Sequence, residues 1–78
     1  MKTKVKEILA TILEIDISDI NDTFSQNSCS SWDSLNHLNL IIALEETFEV
    51  SFDPEQISLM IDIDKIIDQI NKNQSEVN

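Results

Sequence analysis

The chain has 78 residues, of which 41% are apolar, a net charge of −10 and no arginine. That length allows one small domain, whose core supplies only about 3–5 kcal/mol of net stability. Five lysines against 15 carboxylates exclude a nucleic-acid-binding surface, which needs a cationic face to displace counterions, and disfavour an anionic membrane in the same way.

The N-terminal "MKTKVKEILATILEI" places lysines before an apolar run, as a secretion signal does. Glu7 and Glu14 bracket that run, however, and no small-residue cleavage site follows it. No segment nears the ~18 consecutive apolar residues that a bilayer span requires. Cys29 is the single cysteine, so no internal disulfide is available. A soluble, cytoplasmic protein without membrane insertion is expected. Val5, Ile8, Leu9, Ile12 and Leu13 recur at helical spacing, which predicts an amphipathic helix over residues 3–15.

From Asp16 to Asp33 the sequence reads "DISDINDTFSQNSCSSWD". Ser, Asp and Asn compete there for local backbone hydrogen bonds and predict a long loop, pinned to the core by Ile17, Ile20 and Phe24. With no glycine in the chain, any left-handed turn residue in this loop is expected to be Asn, Asp or Ser. Trp32 at its end either covers the core, which the usual burial of tryptophan favours, or meets a partner as an aromatic anchor.

Residues 34–49, "SLNHLNLIIALEETFE", predict a second helix whose apolar surface is wider than one stripe. Such a helix either lies centrally or keeps hydrophobic residues exposed for a partner. Asp53, Pro54 and Gln56 form a helix-start signature for a short third helix over 54–60. Asp62 offers a cap to a fourth, in which Ile63, Ile66, Ile67 and Ile70 repeat at helical spacing. The fold expected is all-α, a bundle of three main helices and one short one. It forms one domain over 1–72, with 73–78 as a frayed tail.

Several chemistries fail on these residues. A calcium loop starting at Asp16 would need glycine at its sixth position and glutamate at its twelfth, where Asn21 and Asn27 stand. One cysteine and one histidine cannot build a zinc site. Ser34 and His37 could be neighbours on a helix, but a nucleophile also needs an oriented base, an oxyanion hole and an enclosing pocket. No catalytic residue and no metal ligand is therefore assigned. Capping remains: Asp33 as N-cap would make Ser34 the first helical residue, with Ser31 as a competing cap. In either case Ser34 presents its hydroxyl on a first turn, where free N–H groups favour a phosphate.

The "DSL" of Asp33–Leu35, opening a mid-chain helix that ends in "ALEETF" after a long loop, resembles the acyl carrier protein family. The resemblance spans about Val5 to Ile70. It implies a non-catalytic carrier with 4′-phosphopantetheine attached to Ser34. Acyl intermediates ride as thioesters on that arm and pass between biosynthetic enzymes, fatty-acid-like, polyketide or specialised. It further implies that Asp33 supports the helix start and that Leu35 and Ile42 face partner enzymes. By the same resemblance, Leu40, Ala43, Leu44 and Phe48 would line the core or an acyl cavity. The implied partners are a phosphopantetheinyl transferase and acyl-loading, synthase or acyltransferase enzymes with basic docking patches, met by a monomer.

Two departures mark this chain. Where the family tends to place acidic residues just after its motif, Asn36 and Asn39 stand, and acidity moves to Glu45, Glu46 and Glu49. Those glutamates crowd a helix C-terminus, where the dipole favours cations, a local conflict that often marks a binding surface. An aminoacyl or peptidyl carrier of the same fold is the nearest alternative. An unmodified acidic adaptor or inhibitor that binds a basic protein surface is the alternative of another class.

Overall fold

Four helices follow one another in the computed structural model, which describes residues 1–75: α1 (Lys2–Leu13), α2 (Ser34–Phe48), α3 (Pro54–Leu59) and α4 (Ile63–Ser75). α1 packs on both α2 and α4, and α3 packs on α4. The α1 stripe does what its spacing predicts. Val5, Ile8, Leu9 and Leu13 are buried and Ile12 is half-buried. They meet Leu40, Ile41 and Leu44 of α2 and Ile63, Ile66 and Ile70 of α4 in one core.

α1 stops earlier than residue 15. Glu14 turns left-handed at φ 55°, and the N–H groups of Glu14 and Ile15 both return to the carbonyl of Ala10. Glu49 ends α2 in the same way at φ 54°. These two glutamates are the positive-φ residues of the described chain, so the left-handed positions fall at helix ends and not in the loop. Each carries a Cβ penalty of about 1 kcal/mol that glycine would avoid.

The long connection between α1 and α2 instead reverses through two short 3₁₀ turns, Ile17–Asp19 and Gln26–Ser28, which need no left-handed residue. Ile20 and Phe24 pin it to the core as expected. Ile17 does not, being 40% exposed, because it begins a 3₁₀ turn with no buried residue. The connection is also stitched sideways: Gln26 N–H donates to the Ile61 carbonyl at 2.8 Å, beside a single antiparallel bridge between Ser25 and Asp62. At its near end Asp22 meets Lys6 at 2.8 Å and Lys2 at 3.4 Å. The hydrogen bond from Lys6 holds its carboxyl below the usual carboxylate range.

α3 starts with Pro54 at its first position, and the Gln56 side chain accepts the Asp53 N–H at 3.0 Å. It ends at Leu59, one residue short of the expected 60, because fully buried Met60 turns the chain into the core. Asp62 caps α4, accepting from Lys65 N–H at 2.8 Å. The expected frayed tail is corrected here. Residues 73–75 belong to α4, held where Asn73 donates to the Ser51 carbonyl and joins Gln56 and Gln69 in a hydrogen-bonded cluster. Residues 76–78 lie outside the described residues.

Candidate functional site

The start of α2 is built by three side chains that act on the backbone. Asp33 is extended, and its carboxylate accepts the Asn36 N–H at 2.9 Å. This decides the cap in favour of Asp33 over Ser31. Ser31 serves the junction differently, its carbonyl accepting from Asn36 Nδ2 at 2.7 Å. Asn36 thus donates twice across the loop–helix corner, and an acidic side chain there could not make the second bond. The asparagine that departs from the family's acidic pattern has a structural task in a loop without glycine. An Asn36→Asp variant is expected to lose about 1 kcal/mol, lowering the thermal midpoint by about 4–8 °C in a domain of this size, as read by circular dichroism.

Ser34 follows as the first residue of α2, exposed, and among the described residues its hydroxyl has no hydrogen-bond partner. His37 is not positioned to activate it. The Trp32 indole N–H donates to His37 Nδ1 at 2.9 Å, and His37 Nε2 stands 2.7 Å from the Ile57 carbonyl. Since indole N–H only donates, Nδ1 accepts and Nε2 carries the proton that binds Ile57. Both ring nitrogens are committed, so no base is left for the serine. Trp32 itself is 3% exposed and stacks on Phe24 with ring centroids 6.0 Å apart. It covers the core, as its residue type suggested.

Beyond the first turn, α2 presents both of the surfaces that its wide apolar pattern allowed. Leu40, Ile41 and Leu44 face the core. Leu35, Leu38 and Ile42 are 68%, 54% and 54% exposed, and their i, i+3, i+7 spacing makes them one outward stripe. Asn39 and Glu46 are exposed on neighbouring positions of the same helix, and Asn39 leans on Asn36 Oδ1 at 3.4 Å. Leu38 was absent from the residues singled out by motif. Its spacing from Leu35 and Ile42 is the signal that finds it.

The three glutamates do not act as one patch. Glu45 is half-buried, and its Oε2 accepts the Phe52 N–H at 3.0 Å. It is a clamp for the α2–α3 connection, which explains one carboxylate at an unfavourable helix end. Glu49 lies beside it at the rim of an open polar groove with Asp53, Glu55 and Lys72. Glu46 and Glu49 remain exposed. Among the described residues no group of three or more His, Cys, Asp or Glu side chains could hold a metal ion.

Comparison with known proteins follows this geometry. Residues 3–70 match the family described as "Phosphopantetheine attachment site". The chain is 34% identical over 71 residues to an acyl carrier protein of Buchnera aphidicola, covering 91% of this chain and 90% of that one. It is 32% identical over 65 residues to polyketide-8 synthase acyl carrier protein 1 of Streptomyces avermitilis, covering 83% and 77%. The solution structure of a holo acyl carrier protein from Geobacter metallireducens superposes with a TM-score of 0.82 at 23% identity, over 96% of this chain and 86% of that one. At that identity the superposition establishes the fold.

Proposed function

The chain belongs to the acyl carrier protein family, whose cofactor is covalently attached 4′-phosphopantetheine, and from that premise we propose that Ser34 bears the arm and that the protein carries acyl groups without catalysing their chemistry. One observation carries this reading: Ser34 is exposed and unpartnered on the first turn of α2, immediately after the Asp33 cap. The residues fit the group. The positive end of the helix favours a phosphodiester, and Asp33 is turned to Asn36 N–H and held there.

In the loading step Ser34 Oγ attacks the β-phosphorus of coenzyme A. The new P–O bond replaces the pyrophosphate link, adenosine 3′,5′-bisphosphate leaves, and the serine proton passes to the transferase. When bound, the arm supplies a flexible terminal thiol that holds the acyl group as a thioester. The chain's own residues only bind and orient, and His37, committed at both nitrogens, adds no general base. The test is intact-mass measurement after incubation with a phosphopantetheinyl transferase and coenzyme A. One phosphopantetheine adduct per folded chain is expected, and no adduct refutes the reading.

Acyl carriers serve synthase enzymes, and the docking surface proposed for them is the stripe Leu35, Leu38 and Ile42 with Asn39, Glu46 and Glu49 around it. Asn36 and Glu45, half-occupied by their backbone bonds, stand at its edges. An apolar centre with an acidic border fits enzymes with a basic docking patch. A monomer in the cytoplasm completes the proposal. The lone, half-buried Cys29 suits a reducing compartment, and no helix among the described residues is long and apolar enough to cross a membrane.

Reversing Glu46 and Glu49 together to lysine is expected to slow loading by the transferase about tenfold at low salt, with the gap closing as salt screens the encounter. The same change puts cations at the C-terminus of α2, so thermal stability should hold or rise. Steady-state kinetics across ionic strength checks this, and equal rates at low salt would remove the acidic border from the docking surface.

A further inference from the structure

The chain of contacts Trp32–His37–Ile57 crosses the seam between α2 and α3 within one turn of Ser34. His37 leaves α2 and ties α3 by its Ile57 carbonyl, while the indole of Trp32 closes the loop side of the same ring. The neighbouring residue of α3, Gln56, is held as well. Gln56 Nε2 donates to Gln69 and to Asn73 of α4 at 2.8 Å each, and Asn73 returns to Ser51. α3 is therefore fastened at two adjacent positions, Gln56 and Ile57, by side-chain hydrogen bonds to α4 and α2, beyond the burial of Met60 just past its end.

We propose that His37 locks the α2–α3 seam and so makes this a carrier of short or polar acyl groups, kept outside the bundle. The inference rests on attachment at Ser34. Beside the first turn of α2 lie the seam with α3 and the loop that carries Trp32, and the same imidazole is hydrogen-bonded across both. An alkyl chain entering either way must separate His37 from Ile57 or from Trp32. Breaking either of these part-buried hydrogen bonds disfavours the opened state by up to about tenfold. A short or polar cargo loses little by remaining in water, whereas a long alkyl chain left outside gains nothing from burial. His37 is a positioning residue in this account, acting through Trp32 and Ile57 and not on the reacting atoms. Among the described residues its ring makes those two hydrogen bonds and no ion pair.

The test loads the full-length chain from acetyl- and octanoyl-coenzyme A and confirms one adduct by intact mass. It then follows thioester cleavage by hydroxylamine together with the indole N–H resonance of Trp32, the only tryptophan. In the wild type both thioesters should cleave at rates within about twofold, with the indole resonance unmoved by octanoyl, because the seam stays bonded. His37→Leu should protect octanoyl about tenfold and shift the indole signal. His37→Gln, which keeps one donor and one acceptor, should restore the wild-type rate.

Should His37→Leu unfold, Trp32→Phe opens the loop side alone and should protect octanoyl in the same direction. An octanoyl group protected in the wild type, or equal cleavage in all folded variants, overturns the lock. Absence of any adduct overturns instead the attachment on which it rests.

Discussion

Replacing Ser34 with alanine is expected to abolish loading by a phosphopantetheinyl transferase while leaving the helical fold intact. Ser34 is exposed and its hydroxyl has no partner among the described residues, so its removal should shift stability by no more than about 0.5 kcal/mol. Neighbouring serines provide the internal control. Ser28 Oγ accepts the Ser25 N–H inside a 3₁₀ turn, and the carbonyl of Ser31 is held by Asn36. Among these serines Ser34 alone combines a free hydroxyl with the first turn of a long helix, where a phosphate is favoured. Intact mass should show no adduct on Ser34→Ala and a full adduct on Ser31→Ala. An adduct retained on Ser34→Ala, with unchanged circular dichroism, would place the arm elsewhere.

The largest stability effect is expected at Trp32, two residues before Ser34. Trp32→Ala removes a side chain that is 3% exposed, its stack on Phe24 and its hydrogen bond to His37. Large-to-small substitution of a buried tryptophan costs about 3–5 kcal/mol, which matches the net stability of about 3–5 kcal/mol available to so small a core. The variant should be mostly unfolded at 25 °C and fail to be loaded for that reason, with ligand-independent loss of far-UV ellipticity. Trp32→Phe keeps the stack but leaves His37 Nδ1 without its donor, at about 1–3 kcal/mol. Urea titration of both variants checks the pair, and a Trp32→Ala protein as stable as Trp32→Phe would show that packing at this position had been overvalued.

The contrast between those two residues marks the limit of what could be read from residue order. The serine proposed to carry the arm stood out because its signal is local: a capping aspartate, a serine and the start of an apolar helical period within a few positions. The four helices were legible on the same ground, since the stripes of α1 and α4 and the Asp53–Gln56 and Asp62 start signals act over one or two turns. Helix ends were less so. Glu14 and Glu49 stop their helices in left-handed conformations that nothing in glutamate's own preference indicates.

The sequence by itself determined an acidic, all-helical carrier domain with Ser34 on a first turn, because helical periodicity and capping are short-range and need no knowledge of neighbours. Tertiary structure alone decided which polar residues were surface and which were fasteners. Asn36 reaches Ser31, Glu45 reaches Phe52, and His37 joins Trp32 to Ile57, 20 positions further along the chain. A polar side chain reads the same in sequence whether it meets water or a backbone group, since only the packing of distant segments supplies the second atom of the bond.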